Sequence, residues 1–107
     1  MNYKSKRAKA TDIPKKVKEI VYTRDKGKCV VCGKAGIPNA HVVRRSQGGL
    51  GIEQNIVTLC PRCHEEFDNG SQRQEIDKLL REYLQSIYKD WNEEDLIYSK
   101  WKNFRYR

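Results

Sequence analysis

The chain has 107 residues, of which 37% are apolar and 34% are charged, and its formal net charge is +8. No stretch approaches the roughly 20 apolar residues that a membrane-spanning helix needs, which excludes an integral membrane protein. The basic N-terminus has no apolar run behind it and does not read as a secretory signal, so we expect a cytoplasmic protein. A core built from so few apolar residues is thin, and small domains of this kind usually need a disulfide set or a structural metal.

The positive charge is concentrated in the N-terminal quarter of the chain. Residues 1–28 contain ten Lys or Arg and three Asp or Glu, whereas residues 29–69 are neutral in sum and residues 70–107 carry +1. The first ten residues are predicted to form a disordered basic arm. Thr11-Asp12 followed by Pro14 predicts the start of a helix, and Gly27 predicts its end.

The four cysteines form two pairs, each with the spacing C-x2-C. Two residues between cysteines suit two thiolates that grip one tetrahedral ion, and two such knuckles make a four-cysteine zinc site. The rival interpretation is a redox C-x-x-C or two disulfides in a secreted protein, which the absence of a secretory signal disfavours. We therefore predict one structural Zn²⁺ held by Cys29, Cys32, Cys60 and Cys63.

The segment after the first knuckle predicts two short strands, a short helix and a helical C-terminal extension. The helix that follows residue 72 has apolar side chains at three- and four-residue steps up to Trp91, and Asn92 is a candidate cap for a last short helix. The fold class is therefore α+β. The predicted elements are a strand at 39–44, a glycine-rich loop at 46–51, a strand at 56–59, a helix at 60–68 and helices within 71–107. The aromatic side chains of Tyr83 to Trp91 are expected to pack onto the zinc unit, while Trp101, Phe104 and Tyr106 could equally pack or contact nucleic acid.

One stretch of the sequence contains both cysteine pairs and both histidines. It reads C-V-V-C-G, and later A-H-V-V-R-R-S-Q-G-G-L-G-I-E-Q-N-I-V-T-L-C-P-R-C-H. This order of His, Gly-Gly, Asn and Leu-Cys-x-x-Cys-His resembles the HNH endonucleases, most closely the compact type of phages and bacterial genomes. The resemblance covers about residues 29–68 and implies a ββα-metal core, stapled here by zinc and flanked by an N-terminal helix and C-terminal helices. We expect residues 11–107 to form this single domain, with residues 71–107 as its helical extension.

The resemblance also implies roles for four residues. His41 matches the general base, and His64 matches a ligand of a catalytic divalent cation, which could be Mg²⁺, Mn²⁺ or Ni²⁺. Asp68 matches an additional ligand position in some members and shares a helix face with His64, since the two are four residues apart. Asn55 matches the middle Asn, whose amide would hold the backbone around His41. The alternatives are that His64 is merely a neighbour of the zinc and that Asp68 is a surface carboxylate.

One position departs from the family pattern. Many members carry Asp or His directly before the general base, as a metal ligand, whereas this chain has Ala40. His64 and Asp68 could hold the cation with water and phosphate, Asn39 could replace the missing ligand, or the site could bind metal weakly and be a poor catalyst. A strand would place Asn39 on the face of His41 rather than that of Ala40.

The resulting hypothesis is a metal-dependent DNA endonuclease or nicking enzyme, bacterial or phage-encoded. The alternative is a non-catalytic, zinc-stapled DNA-binding module or phage packaging accessory whose metal site is degenerate at Ala40, with phage packaging proteins as partners. The oligomeric state is left open. Basic side chains near the base and in the arm are the candidate DNA contacts. They are Lys4, Lys6, Arg7, Lys9, Arg44 and Arg45, although the two last could be plain surface charges.

Overall fold

A computed structural model describes residues 5–99 of the chain. It contains four α-helices, two β-strands and two short 3₁₀ turns, which confirms the predicted α+β class and the ββα core. The elements are α1 (Lys6–Thr11), α2 (Lys15–Arg24), β1 (Ile37–His41), the 3₁₀ turn Arg45–Gln47, β2 (Ile56–Leu59), α3 (Pro61–Asn69), α4 (Arg73–Ile87) and the 3₁₀ turn Glu93–Leu96. None of the helices within residues 5–99 is long and apolar enough to cross a membrane.

The N-terminal segment differs from the prediction of a disordered arm, because residues 6–10 belong to α1. The Ser5 hydroxyl accepts a hydrogen bond from the Ala8 amide at 3.1 Å and caps this helix. The helix lies against the glycine-rich loop, where Arg7 donates to the Ser46 carbonyl at 3.0 Å and the Gly51 amide donates to the Ala10 carbonyl at 3.0 Å. These contacts join residues about 40 positions apart, so local sequence could not reveal them. Lys4, also predicted to bind DNA, lies outside the described residues.

Helix α2 begins later than predicted. Thr11 ends α1, and α2 starts at Lys15 with Pro14 as its N-terminal boundary. The ring of Pro14 disfavours helical backbone at Ile13, which separates the two helices. At the other end the chain leaves α2 after Arg24, and positive φ angles at Lys26 and Gly27 turn it into the first knuckle, as the glycine predicted.

Strands β1 and β2 form one antiparallel hairpin with an irregular register. Ile37 pairs with Leu59 and Ala40 with Val57, so β1 has one extra residue between these pairs. β2 covers 56–59 as predicted, but β1 ends at His41 rather than at residue 44. The Val42 amide still donates to the Asn55 backbone carbonyl at 2.9 Å, but the Val43 amide donates to the Asn55 side-chain oxygen at 2.8 Å, and the backbone pairing ends there.

The apolar core lies between the hairpin, α3 and α4. Helix α4 buries one face made of Ile76, Leu80 and Leu84, and α3 contributes Phe67. The helical pattern predicted α4 well at its start, but the helix ends at Ile87, four residues before Trp91. Asn92 caps the last turn as predicted, since its side chain accepts from the Glu94 amide at 3.0 Å. The predicted aromatic tail, Trp101, Phe104 and Tyr106, lies outside the described residues.

A buried polar network joins α2 to the hairpin and to α4. The Asp25 carboxylate is almost fully buried, and it accepts from Arg24 at 2.8 Å, from the Thr58 amide at 2.9 Å and from the Tyr83 hydroxyl. Arg24 also donates to the Ile56 carbonyl at 2.7 Å. These bonds hold the pKa of Asp25 below its ordinary value, so the buried charge is paired and satisfied. The sequence reading had no signal for this network.

Candidate metal sites and active site

The four cysteines lie together in one cluster. Their sulfur atoms are all within 4.8 Å of one another, and all four thiols are free of disulfides. Cys32 Sγ and Cys60 Sγ are 3.6 Å apart. Tetrahedral zinc with bonds of about 2.3 Å separates its sulfur ligands by about 3.8 Å, so this cluster fits a zinc ion. The geometry supports the predicted structural zinc and disfavours the rival disulfide interpretation.

Backbone amides in each knuckle point at a sulfur atom. The Cys32 amide donates to Cys29 Sγ at 3.5 Å, and the Cys63 amide donates to Cys60 Sγ at 3.4 Å. The Cys63 amide lowers the pKa of the Cys60 thiol to about 7, and the thiolate is the form that binds zinc. Cys60 is also the N-cap of α3, so the second knuckle and the first turn of this helix are one structure.

His64 and Asp68 lie side by side on α3, one turn apart. His64 Nε2 is 3.7 Å from Asp68 Oδ2, and both side chains are partly exposed. Two donors at this distance can both contact one ion through bonds of about 2.0–2.2 Å. The pair therefore fits a divalent cation, and its exposure leaves room for water and for a substrate oxygen in the remaining coordination positions.

His41 ends β1 and is half-buried. Its Nε2 lies 2.8 Å from the backbone carbonyl oxygen of Thr11. A carbonyl oxygen only accepts, so Nε2 carries the hydrogen and the lone pair of the neutral ring resides on Nδ1. Burial lowers the pKa of His41 below its ordinary value, and the charge of His64 lowers it further, while the bond to Thr11 acts in the opposite direction. His41 is accordingly neutral at pH 7.

Asn55 is fully buried and ties the loop after β1 to the start of β2. Its side-chain oxygen accepts from the Val43 amide at 2.8 Å, and its side-chain nitrogen donates to the carbonyls of Val43 at 3.2 Å and Leu50 at 2.9 Å. All of its hydrogen-bonding groups are thus used on the loop that follows His41. These contacts agree with the orienting role that the family pattern implies.

Asn39 and Ala40 have different surroundings. Ala40 is fully buried within the apolar core cluster. Asn39 is exposed and lines two adjoining clefts, one with His64 and Asp68 and the other with His41. The extra residue in β1 falls at this point, between Ile37 and Ala40, and bulges of this kind redirect side chains beside functional sites. The residue next to the site is therefore Asn39, one of the three alternatives that the sequence left open for the missing ligand.

The two arginines after His41 both have intramolecular partners. Arg44 donates to the last carbonyls of α3, those of Phe67 at 3.2 Å and Asp68 at 3.3 Å, and its guanidinium lies over the Phe67 ring. It thus stabilises the end of the helix that carries His64 and Asp68. Arg45 pairs with Asp12. Their predicted role as phosphate contacts remains a prediction.

Two features of this site were missed by sequence reasoning. Lys18 lines the same cleft as His41, together with Asp12 and Arg45, although it was not singled out. Thr11 supplies the backbone oxygen that contacts His41. A charged residue on the exposed face of a predicted helix could have been noted, but a carbonyl that contacts a side chain 30 positions away leaves no trace in the sequence.

Comparison with known proteins places this site in a family. A family model described as HNH endonuclease matches residues 29–69. The chain is 34% identical over 74 residues to the type IV methyl-directed restriction enzyme EcoKMcrA of Escherichia coli strain K12, covering 60% of this chain and 27% of that enzyme. It is 30% identical over 64 residues to anaredoxin of Nostoc sp. strain PCC 7120, covering 58% of this chain and 84% of that protein. The chain thus spans about a quarter of the restriction enzyme and most of anaredoxin. With both cysteine pairs, His41, Asn55 and His64 inside the match, residues 29–69 of this chain form a domain of the HNH endonuclease family.

Proposed function

We propose that the protein is a metal-dependent DNA endonuclease or nicking enzyme that hydrolyses phosphodiester bonds with His41 as the general base. The observation that carries this proposal is the hydrogen bond from His41 Nε2 to the Thr11 carbonyl. It fixes the neutral ring as the form with a lone pair on Nδ1, which is the form that can accept a proton from water. The family match and the restriction enzyme among the relatives support DNA as the substrate.

In the proposed reaction a water molecule attacks the scissile phosphorus as Nδ1 of His41 takes its proton. The Thr11 carbonyl, bonded to Nε2–H, favours the imidazolium that then forms. Asn55 keeps the loop after His41 in one conformation, so the ring is already oriented when the substrate binds. The phosphorus–oxygen bond to the departing sugar oxygen breaks, and the proton that this oxygen needs can come from solvent.

His64 and Asp68 would hold the divalent cation, with Asn39 beside them at the edge of both clefts. Such an ion stabilises negative charge on the phosphate and on the departing oxygen. Because both side chains are partly exposed, a cation held there would be within reach of a nucleic acid. Two protein ligands make a weak site, so we expect cleavage to need a high cation concentration.

The positive charge near His41 would bind the substrate's phosphates. Lys18 belongs to the cleft itself, and Lys6 and Lys9 lie on the exposed surface of α1. Phosphate contacts of this kind give affinity without sequence preference. We propose these lysines as contacts in preference to Arg44 and Arg45, whose guanidinium groups already have partners within the chain.

The test is cleavage of supercoiled plasmid DNA by the zinc-loaded protein in Mg²⁺, Mn²⁺ or Ni²⁺, with His41→Ala as the control. We expect metal-dependent nicked or linear product from the wild type and almost none from His41→Ala. If DNA binds but is cut in none of the three metals, the alternative of a binding-only module with a degenerate site is correct. The buried Ala40, which offers no ligand atom, is the observation that favours this second candidate.

A further inference from the structure

The segment from α1 to Asp12 is fastened to the loop after His41 at three points. Arg7 donates to the Ser46 carbonyl at 3.0 Å, the Gly51 amide donates to the Ala10 carbonyl at 3.0 Å, and Asp12 pairs with Arg45. The approach is close, because a Cβ added to Gly51 would lie 1.9 Å from the Asp12 carbonyl oxygen. Only glycine allows this contact.

The carbonyl that orients His41 belongs to this fastened segment. Thr11 comes directly before Asp12, and its oxygen is 2.8 Å from His41 Nε2. Both residues precede the region 29–69 that matches the family model. The matched region by itself therefore lacks the Thr11 carbonyl, which orients the ring of His41, the proposed general base.

We propose that Asp12 and Arg45 are positioning residues that form a clasp, defined here as their ion pair, which holds the Thr11 carbonyl against His41. The inference rests on the proposed function, since it assigns the clasp to the general base of that reaction. Arg45 lies just beyond β1, the strand that ends at His41, and Asp12 directly follows Thr11. Their ion pair therefore links the strand that carries the proposed base to the segment that carries the carbonyl. Arg45 thereby acts through Asp12 and not on the phosphate.

The exposure of the pair makes this role testable. The side chains of Arg45 and Asp12 are 52% and 28% exposed. Ion pairs in such positions contribute little to the free energy of folding, so variants should fold normally. Because the contribution of the pair acts on the position of His41, its loss should still lower the rate severalfold.

The experiment measures plasmid cleavage by Arg45→Ala, Asp12→Ala and the double variant of the zinc-loaded protein. We expect each to lower kcat by roughly 2–5-fold, as much as an exposed ion pair can supply, while leaving KM and its dependence on salt unchanged. The double variant should be no worse than either single one, and the exchanged pair Asp12→Arg/Arg45→Asp should recover activity. If Arg45 instead binds phosphate, Arg45→Ala will raise KM and reduce its salt dependence while Asp12→Ala lowers KM, and that pattern overturns the proposal.

A matched control and a second readout separate the clasp from the proposed function. Asp77→Ala removes another partly exposed ion pair, that with Arg81 within α4, and should leave kcat unchanged. In the wild type the Nε2–H proton of His41 should give a slowly exchanging NMR signal, and this signal should disappear in Arg45→Ala but persist in Asp77→Ala. If no DNA is cut, the proposed function fails, yet the NMR signal still decides the clasp. If the NMR signal persists in both Arg45→Ala and Asp12→Ala, the proposed clasp is refuted.

Discussion

At the scale of single residues, the proposed hydrolysis depends most on one atom, Nδ1 of His41. The Thr11 carbonyl occupies the other nitrogen of the ring, so only this atom is free to take a proton. His41→Ala should leave folding, zinc content and DNA binding nearly unchanged and reduce cleavage by about 10²–10⁴-fold, the usual contribution of a general base. Single-turnover cleavage measured beside thermal melting checks this. Cleavage by His41→Ala at the wild-type rate would show that another group is the base.

The lowered pKa of His41 predicts the pH dependence of cleavage. A protonated ring cannot accept a proton, so the rate rises as the pH increases through the pKa of His41. Burial lowers that pKa, and the positive charge of a cation bound at His64 would act in the same direction, so the midpoint of the acid limb should lie below pH 6.5. The charged groups facing His41 in its cleft are Asp12, Lys18 and Arg45. The measurement is kcat/KM against pH at saturating cation, and a midpoint above pH 6.5 would contradict the assignment.

The proposed cation ligands, His64 and Asp68, give a separate prediction. His64→Ala and Asp68→Ala should each weaken Mn²⁺ binding measured by calorimetry, and higher Mn²⁺ should partly restore cleavage. Glu75→Ala, which removes an exposed carboxylate from α4, is the control and should change neither quantity. Unaltered Mn²⁺ affinity in Asp68→Ala would make Asp68 a surface carboxylate. Because Asn39 lines the cleft and Ala40 is buried, Asn39→Asp should tighten Mn²⁺ binding more than Ala40→Asp does.

At the scale of elements, the loop between β1 and β2 depends on one side chain. Asn55→Ala leaves the buried Val43 amide without its acceptor, which should cost about 1–3 kcal/mol in the free energy of unfolding. Asn55→Asp retains that acceptor but loses both donors and sets a carboxylate against two carbonyls, so it should not rescue the loop. Urea denaturation of both variants tests this. A fully stable Asn55→Ala protein would mean that the loop does not need the amide.

Because residues 6–10 form part of helix α1, deleting the N-terminal residues is a poor test of DNA binding. Deleting residues 1–10 removes basic charge, but it also removes the helix that lies on the loop after His41. Lys6→Gln with Lys9→Gln is the cleaner test of DNA binding, because both side chains are only on the surface and the helix remains. The salt slope of binding should fall by about one for each lost phosphate contact. An unchanged slope would show that α1 does not contact DNA.

A comparison of the predicted and observed helices and strands shows which structural features the sequence alone could predict. β2, α3 and the capped turn at Asn92 were predicted closely, because apolar runs, Pro61 and Asn92 act on their own neighbours. The helical fold of residues 6–10 and the early end of β1 were not predicted. The first agrees with the local N-cap at Ser5 and is fixed further by bonds to Ser46 and Gly51, whereas the second depends on the tertiary contact with Asn55.

The same distinction applies to the candidate site. The zinc ligands could be predicted from the spacing of the cysteines, whereas the roles of His41, Asn55 and His64 came from the resemblance to the HNH endonucleases and remain predictions. The clasp, the position of Asn39 and the buried Asp25 network could not. Each of these depends on how separate elements meet in space, and an ion pair or a backbone carbonyl has no sequence pattern of its own.

At the scale of the whole molecule, the four-cysteine cluster fits a zinc ion that would hold together the two ends of the matched region. The cysteines connect the turn before β1 with the start of α3. Structural zinc in small folds typically supplies about 10–16 kcal/mol, about as much as the entire stability of a small domain. Removal of zinc with a strong chelator should therefore abolish near-ultraviolet circular dichroism and DNA cleavage together, and re-addition should restore both. A chelated protein that stays folded would contradict a structural role for the metal.

The placement of two kinds of ligand on α3 constrains how this part of the chain can change length. Cys60 and Cys63 would fix the first turn to the zinc, and His64 follows Cys63 directly. An α-helix advances about 100° per residue, so a single insertion after Cys63 would rotate His64 and Asp68 away from their cleft while leaving the knuckle intact. A zinc ion bound by the cysteines would thus set the rotational phase of the helix, and with it the direction in which the proposed cation ligands His64 and Asp68 point.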